Sequence, residues 1–181
     1  MKVGTKSVIF GVHNFIWHPI TVTLAWTKLY GLPNWKELVC IFVHDLGYWG
    51  KPNIDGIEGE MHPVMGSEIA HVLLDPCNIF KYRDMCLYHS RTCAKKYGVS
   101  PSQLCWCDKL CIKYDPWWFY LFRAILSGEI IEYRRDAIKS GLLPSDATYR
   151  EWFSWARERG VRVALTQNGA TAYEVGNPNL F

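Results

Sequence analysis

The spacing of apolar and polar residues predicts helices along most of the chain. Asn34 and Glu37 form a capping-box pair, and the helix that they open is predicted to run to about Leu46. Its apolar run LVCIFV could also form a buried strand, but its length and its cap favour a helix. Pro63 suits the first position of a further helix, which is predicted to stop near Asp75.

The remaining sequence carries the same kind of helix boundary signals and predicts an all-α protein. A length of 181 residues favours one domain over 1–181, with C-terminal helices and an irregular tail from Gln167 in the segment 116–181. One further helix is predicted from about 78 to 97, before Gly98, and the next runs from a second capping box at Ser100 and Gln103 to about Tyr114. Another helix begins at Asp115-Pro116, and Gly128 and Gly141 separate two more segments. The last predicted helix runs from Ser145 to Gly160.

The adjacent pair His44-Asp45 carries the most chemical information in the chain. It closes an apolar run, LVCIFVHDLG, where a chain normally places Leu or Val. A buried carboxylate without a partner costs several kcal/mol, about as much as the whole stability of a small domain. A neighbouring positive charge or hydrogen-bond donor must therefore compensate the carboxylate. A divalent metal ion does so, and four further candidate ligands give four imidazoles and two carboxylates, enough for two metals that share a ligand. These candidates are His18, His62, His89 and Asp108.

Helical geometry supports two of these candidates. The neighbours of Asp108 on the same helical face are Leu104, Cys105, Cys111 and Ile112, which places a carboxylate in the middle of an apolar stripe. The alternative for Asp108 is a structural ion pair with a Lys or Arg.

His89 lies among Met85, Cys86 and Cys93 in the same way. The alternative for this residue is a core histidine that is hydrogen-bonded to a carbonyl group.

Other residues compete for the same roles. His13 is an alternative to His18, which we prefer because it begins an amphipathic helix that leads toward His44. His71 lies half a turn out of phase with His62 and is interpreted as structural. The cysteines around residues 105–111 lack a second pair at zinc-knuckle spacing, so we interpret them as small core residues.

Composition excludes several classes of function. The net charge of +3 is too small for a general nucleic-acid surface, and the absence of an apolar run of about 18 residues argues against a membrane span. Without a convincing signal peptide, the seven cysteines are expected to be reduced thiols in a cytoplasmic protein. The sequence leaves the formation of a homo-oligomer open.

Five segments in order resemble the HD-domain superfamily of metal-dependent phosphohydrolases. They are HPITVTLAW, VHDLGYWGKP, MHPVMGSEIA, LYHSR and CDKL, which preserve the order H, HD, H, H, D over residues 13–115. The resemblance implies an all-α HD-domain helical bundle with a metal site in its core, held by His18, His44, Asp45 and Asp108. In subfamilies with the two intermediate histidines the Asp of the pair bridges two metals, which implies that His62 and His89 bind the second metal.

The resemblance also implies an activity, although the chain lacks the GYP triplet of the cyclic-dinucleotide phosphodiesterases and the Glu that closely follows the pair in deoxynucleoside monophosphatases. The expected function is hydrolysis of a nucleotide or similar small phosphoester by a binuclear site, with His44 and Asp45 in the catalytic centre. Mn²⁺ or Fe²⁺ is favoured, with Co²⁺, Ni²⁺ or Zn²⁺ as alternatives. The candidate phosphate-binding residues are Arg91, Lys51, Lys95 and Lys109.

Two other functions remain open at this point. Some proteins of this superfamily with the same six ligands are di-iron oxygenases that cleave C–C or C–P bonds, and the ligand set alone does not distinguish them from hydrolases. A non-catalytic nucleotide-binding module is the third interpretation.

Overall fold

The protein is all-helical in the computed structural model, which describes residues 1–76 and 79–167. Ten α-helices and three short 3₁₀ helices account for the regular structure of these ranges, and they contain no β-strand, so the all-α prediction is confirmed. The α-helices are α1 (Val3–Phe10), α2 (Trp17–Tyr30), α3 (Trp35–Val43), α4 (Pro63–Leu74), α5 (Lys81–Leu87), α6 (Arg91–Lys96), α7 (Gln103–Leu110), α8 (Trp117–Ser127), α9 (Glu129–Lys139) and α10 (Tyr149–Gln167).

Several of the predicted helix boundaries are confirmed, and three of them show the physical cause directly. The Asn34 side chain accepts hydrogen bonds from the backbone N–H groups of Lys36 and Glu37 at 2.9 and 3.1 Å, and Glu37 accepts one from the Asn34 N–H at 2.8 Å. Pro63 is the first residue of α4. Gly128 separates α8 from α9 with a φ of 91°, a left-handed conformation that only glycine adopts without strain.

The single helix predicted over 78–97 is wrong. The described part of this segment forms two helices, because the chain leaves helical geometry at Tyr88 and restarts after Ser90, whose hydroxyl accepts a hydrogen bond from the Cys93 N–H. His89 lies in this break, so its apolar neighbours at helical spacing do not share a face with it. The predicted start at Asn78 lies outside the described residues.

Two other helix ends differ from the prediction near the candidate site. The third helix stops at Val43 instead of Leu46, and Asp45 leaves helical geometry before a 3₁₀ helix at Leu46–Tyr48. The second capping box, with Ser100 as the cap, is also wrong, because α7 begins only at Gln103 and Ser102 takes the cap position. The Ser102 hydroxyl donates to the Met85 carbonyl oxygen at 2.8 Å instead of capping the helix.

The last helix begins later and continues further than predicted. Thr148 and Glu151 form the real capping box, with the Thr148 N–H donating to Glu151 Oε2 at 2.7 Å. Gly160 lies inside α10 instead of ending it. A Cβ atom at this position would lie 2.7 Å from the Lys109 carbonyl oxygen, so no larger residue fits there. The glycine thus lets α10 pass close to α7. The irregular tail predicted after Gln167 lies outside the described residues.

Two main clusters of buried apolar side chains form the core. The first surrounds Trp26, Ile41 and Leu104, and the second surrounds Tyr120 and Ile130. Helix α10 contributes to both, because its first turns pack in the second cluster and its last turns in the first. Within the described ranges, the structure has no helix with the length and apolar character needed to cross a membrane.

Candidate metal centre

The six predicted ligands come together at one place in the fold. Five of them are at least nine-tenths buried, and the side chain of the sixth, Asp108, is 13% exposed. Four stand at or beside helix ends, where the backbone can turn a side chain toward a common point, and two lie within the helices α2 and α7, which pack together. The set is His18 in α2, His44 after α3, the adjoining Asp45, His62 before α4, His89 between α5 and α6, and Asp108 in α7.

Two glycines allow the start of α4 to approach the His44-Asp45 turn. A Cβ atom on Gly47 would lie 1.9 Å from the His62 carbonyl oxygen, and one on Gly66 would lie 2.5 Å from the Val43 carbonyl oxygen. Both distances are too short for any side chain. The absence of a side chain at these two positions is therefore part of how His62 reaches Asp45.

One group of donors comprises His18, His44, Asp45 and Asp108. The Asp45 Oδ2 atom lies 3.0 Å from His18 Nε2 and 3.2 Å from His44 Nε2. The Asp108 Oδ1 atom lies 3.3 Å from His18 Nε2, and the two Nε2 atoms are 3.3 Å apart. Four nitrogen and oxygen atoms thus surround one point.

A second group comprises Asp45, His62 and His89. The other carboxylate oxygen of Asp45, Oδ1, lies 3.4 Å from His62 Nε2 and 3.3 Å from His89 Nε2. The two imidazole Nε2 atoms are 3.0 Å apart. Asp45 therefore belongs to both groups and offers a different oxygen to each.

The protonation of the imidazoles follows from their second nitrogen atoms. The Nδ1 atoms of His44 and His62 lie 2.7 and 2.8 Å from the backbone carbonyl oxygens of Ile41 and Gly59, and His89 Nδ1 contacts the Cys86 carbonyl oxygen. Only an N–H group can donate to a carbonyl oxygen, so the proton is on Nδ1 and the lone pair is on Nε2. Metal-binding histidines in proteins are typically held in this way.

With this protonation, hydrogen-bond acceptor atoms of His62, His89 and Asp45 face one another without a proton between them. His62 and His89 direct lone pairs at each other and at a carboxylate oxygen, and Asp45 Oδ2 is buried without a hydrogen-bond partner among the described residues. Its contacts with His18 and His44 are short in distance but do not have hydrogen-bond geometry. An unsatisfied buried acceptor costs about 1–3 kcal/mol, and a cation removes that cost. The His/Asp group can therefore hold a metal ion.

The pKa values agree with ligands in their metal-binding forms. Burial lowers the pKa of His44, and it lowers that of His62 further, which keeps both imidazoles neutral. Burial raises the pKa of Asp45, but His44 and the other histidines outweigh it and hold the value well below the ordinary range. Burial also raises the pKa of Asp108, and the positive charge of Lys109 lowers it. The net result is again a pKa well below the ordinary range.

His18 differs from the other imidazoles. Burial lowers its pKa, but Cys111, Asp108 and Asp45 together raise it well above the ordinary value. A positive charge is thus favoured at this end of the site, and either a proton or a metal ion would supply it. The thiol of Cys111 donates to the Asp108 carbonyl oxygen at 2.9 Å and lies 3.8 Å from His18 Nδ1.

A cavity of about 330 Å³ lies beside the two donor groups. Five of the six ligands line it, and its walls come from both halves of the chain. The segment 116–181, in which the sequence shows no motif, contributes Tyr120, Tyr133 and Trp152 together with the small residues Ala156 and Gly160 of α10. The C-terminal helices therefore shape the space in front of the candidate metal centre.

The four candidate phosphate-binding residues separate into two pairs. Arg91 and Lys109 line the cavity, and the Lys109 Nζ atom lies 2.8 Å from Asp108 Oδ2. Lys51 and Lys95 are not among the described residues that line it. Lys51 lies against α1, where its carbonyl oxygen accepts from the Gly4 N–H at 3.1 Å, and Lys95 is exposed in the last turn of α6.

His13 is not a member of either donor group, but it lines the cavity and its ring stands edge-on to that of His18 at 5.4 Å between centroids. Its Nδ1 atom lies 3.0 Å from Glu129 Oε1 and 2.8 Å from Ser7 Oγ. Glu129 is fully buried and also accepts from the Val12 N–H and the Tyr133 hydroxyl. Sequence reasoning missed this pair, since an acidic residue in the first turn of a helix is ordinary.

The remaining histidine and the cysteines lie outside the donor groups. His71 Nδ1 is 3.6 Å from Asp75 Oδ2 on the same helix, in agreement with a structural role. The six described cysteines are buried and free. Burial raises the pKa of the Cys105 thiol to about 11, as expected of a small core residue.

Comparison of the chain with protein families, with curated proteins and with solved structures finds no match. The functional interpretation therefore depends on the side chains and the geometry described above.

Proposed function

We propose that this protein is a metal-dependent phosphohydrolase of the HD-domain superfamily with a binuclear metal site. The observation that carries the proposal is the presence of two donor groups that share one carboxylate, Asp45. The ordered ligand set predicted from sequence and the distances between its atoms support the same proposal independently. The substrate would be a nucleotide or another small phosphoester.

The ligand chemistry limits the choice of metal. Imidazole nitrogen and carboxylate oxygen without thiolate suit Mn²⁺ or Fe²⁺, and Co²⁺, Ni²⁺ or Zn²⁺ would bind the same donors. His18, His44, Asp45 and Asp108 would hold one ion, and Asp45, His62 and His89 the other. Two bound cations would lower the pKa of a water molecule and neutralise a phosphoryl group.

The protein's own residues supply the remaining functions. The Arg91 side chain is exposed, lines the cavity and has no hydrogen bond or ion pair to another described residue, so its guanidinium group is available to bind a phosphate in bidentate fashion. Lys109 adds a second positive charge next to Asp108. Two cationic side chains at the cavity are suited to an anionic substrate such as a phosphoester.

His13 completes the proposed site. Glu129 and Ser7 hold its Nδ1 atom, which leaves Nε2 as the ring nitrogen for contact with a bound substrate. Arg123 donates to the carbonyl oxygens of Gly11 and Val12 at 3.0 and 3.1 Å, so α8 fixes the backbone before His13. In the proposed reaction His13 moves a proton to or from the substrate.

Phosphate release tests the proposal. Protein loaded anaerobically with Mn²⁺ or Fe²⁺ is expected to release phosphate from small phosphomonoesters, and Asp45→Asn is expected to abolish that release while it retains the helical circular dichroism of the wild type. Asp146→Asn, at an exposed loop position, is the matched control and should behave as wild type. Near-normal turnover by Asp45→Asn would overturn the assignment, and oxygen consumption by the iron form without phosphate release would favour the oxygenase.

A further inference from the structure

The cavity wall contains a carboxylate that belongs to neither donor group. Asp55 lines the cavity, and its carboxylate has no hydrogen bond or ion pair to any other described residue. It is on the segment between the His44-Asp45 turn and His62, ten residues after Asp45. Asp55 is exposed, so its carboxylate oxygens are open to the hydrogen-bond donors of a ligand that enters the cavity.

The segment that carries Asp55 is held in place from α9. The backbone N–H groups of Ile54 and Asp55 donate to Glu132 Oε2 at 2.8 and 3.3 Å, and Glu132 is buried. The Ile54 side chain is 2% exposed and packs with Val8 and Tyr48. Asp55 is therefore presented to the cavity by a fixed backbone and not by a loose loop.

A second set of contacts closes the same segment. The Asn53 side chain accepts from the Gly59 N–H at 2.9 Å and donates to Glu58 at 2.8 Å. A Cβ atom on Gly59 would lie 2.0 Å from the Ile54 carbonyl oxygen, so the two ends of the turn are in direct contact. These contacts hold the turn without involving the Asp55 side chain, which stays available to a ligand.

The neighbours of Asp55 do not neutralise it. Loss of water around the carboxyl group, although it keeps solvent contact, and the nearby carboxylate of Asp136 raise the pKa of Asp55 to about 6. His13 and Lys109 oppose this shift but do not cancel it. The site therefore favours a ligand group that donates hydrogen bonds at this position, and it disfavours a second anion there.

We propose that Asp55 is a specificity-determining residue that accepts hydrogen bonds from hydroxyl groups on the non-phosphate part of the substrate. The substrate class is then a hydroxylated phosphomonoester, and this inference rests on the proposed phosphohydrolase function. Carboxylates bind the hydroxyl groups of ribose in this way in other nucleotide sites. The neighbouring Tyr48 and Tyr133 rings line the same cavity and offer apolar surface to a sugar ring.

The size of the cavity agrees with this class. About 330 Å³ is near the lower end of the range of roughly 300–1,000 Å³ for ligand pockets. A ribose phosphate and a nucleoside monophosphate share the hydroxyl chemistry that Asp55 would recognise. The two sources differ only in the nucleobase, so kinetics on both compounds distinguish them.

The test compares Asp55→Asn with wild type on three phosphomonoesters: adenosine 5′-monophosphate, ribose 5-phosphate and p-nitrophenyl phosphate, which lacks hydroxyl groups. For the hydroxylated substrates we expect kcat/KM to fall about 10- to 100-fold, mainly through KM, because a hydrogen bond to a charged acceptor is lost. Hydrolysis of p-nitrophenyl phosphate and the metal content are expected to stay within about twofold of wild type, and Asp146→Asn should match wild type on all three.

Two results would overturn the inference: an equal loss on all three compounds, or no loss on any. If the wild type hydrolyses none of them, the proposed function fails, and calorimetric binding of ribose 5-phosphate decides the role of Asp55 separately. Binding that weakens in Asp55→Asn would then support a hydroxyl-binding site without hydrolysis. Equal or absent binding in both proteins would reject it.

Discussion

His62 and His89 each bring one nitrogen atom to the Asp45 Oδ1 atom, and neither belongs to the donor group around Oδ2. Removal of either imidazole leaves the group of His18, His44, Asp45 and Asp108 complete. We therefore expect His62→Ala and His89→Ala each to lower the metal content from about two ions per chain to about one, with a steep loss of turnover.

Elemental analysis of metal-loaded, desalted protein measures this change. His71→Ala is the matched control, because His71 lies outside both donor groups, and it should retain the wild-type stoichiometry. A constant metal content in both cavity variants, with altered kinetics only, would show that these histidines contact substrate instead of metal.

At the scale of helices, the approach of α4 to the His44-Asp45 turn depends on Gly47. A Cβ atom there would lie 1.9 Å from the His62 carbonyl oxygen, so Gly47→Ala must displace the start of α4. We expect a loss of roughly 1–3 kcal/mol in the free energy of unfolding, measured by denaturant titration of the metal-free protein, and a loss of the ion at His62.

Gly98→Ala is the control for the general cost of replacing a glycine. Gly98 has a φ of 67° and open space around its Cβ position. It should cost about 1 kcal/mol through backbone strain alone and leave the metal content unchanged. Equal metal content in the two variants would contradict the importance of the close approach at Gly47.

The helix boundaries show how far sequence reasoning extends. Caps with reciprocal side-chain bonds, such as Asn34 with Glu37, are local and were predicted correctly. The break around His89 was not predicted, because the apolar spacing of α5 and α6 continues across it and only the Ser90 cap marks it. The helix end expected at Gly160 was wrong. The glycine is needed for the close approach of the Lys109 backbone, which is distant in sequence, and not for a local change in helix geometry.

Some residues of the candidate site could likewise be predicted from the sequence, and others could not. The His44-Asp45 pair and Asp108 could be selected as candidates because ionisable groups in apolar segments need compensation, which is visible in one sequence. The roles of His62 and His89 depended on the order of residues in the HD-domain resemblance, and the apolar face expected around His89 is absent because this residue lies between two helices. The contact of His13 with Glu129 joins residues 116 positions apart, and no local spacing indicates it. The same reason applies to the cavity wall from α8 to α10, where aromatic residues have the pattern of an ordinary core.

For the molecule as a whole, a bound metal should stabilise the fold, because its candidate ligands come from α2, α7, the end of α3, the start of α4 and the segment between α5 and α6. A ligand at about 100 times its Kd adds roughly 2.7 kcal/mol, which for a chain of this size raises Tm by about 5–10 °C. Thermal unfolding with excess Mn²⁺ and with a chelator measures the difference. An unchanged Tm with full metal loading would contradict this prediction.

Acid should lower the free energy of unfolding of the metal-free protein. The pKa values of His44 and His62 lie below the ordinary value of about 6.5, so at these two residues the unfolded chain binds more protons than the folded chain below that pH. Stability therefore falls as the pH falls from about 6.5, and protons also compete with metal for the imidazoles. His18, whose pKa is raised, acts with the opposite sign only above about pH 6.5, and Asp55, whose pKa is raised to about 6, opposes the two imidazoles as one group against two. Unfolding of the chelated protein between pH 6.5 and 5 tests the sign, and a rise in stability toward acid would refute it.

Asp45 gives one oxygen atom to each donor group, so any ion in one group holds a side chain on which the other depends. A first ion would fix that carboxylate in the orientation that the second needs, and it would also oppose the second through its charge. The two affinities are then coupled, and the coupling free energy is the same whichever ion binds first. An apparent affinity measured for one ion would consequently report on both donor groups, and the two groups would fill with metal as a coupled pair instead of as two independent sites.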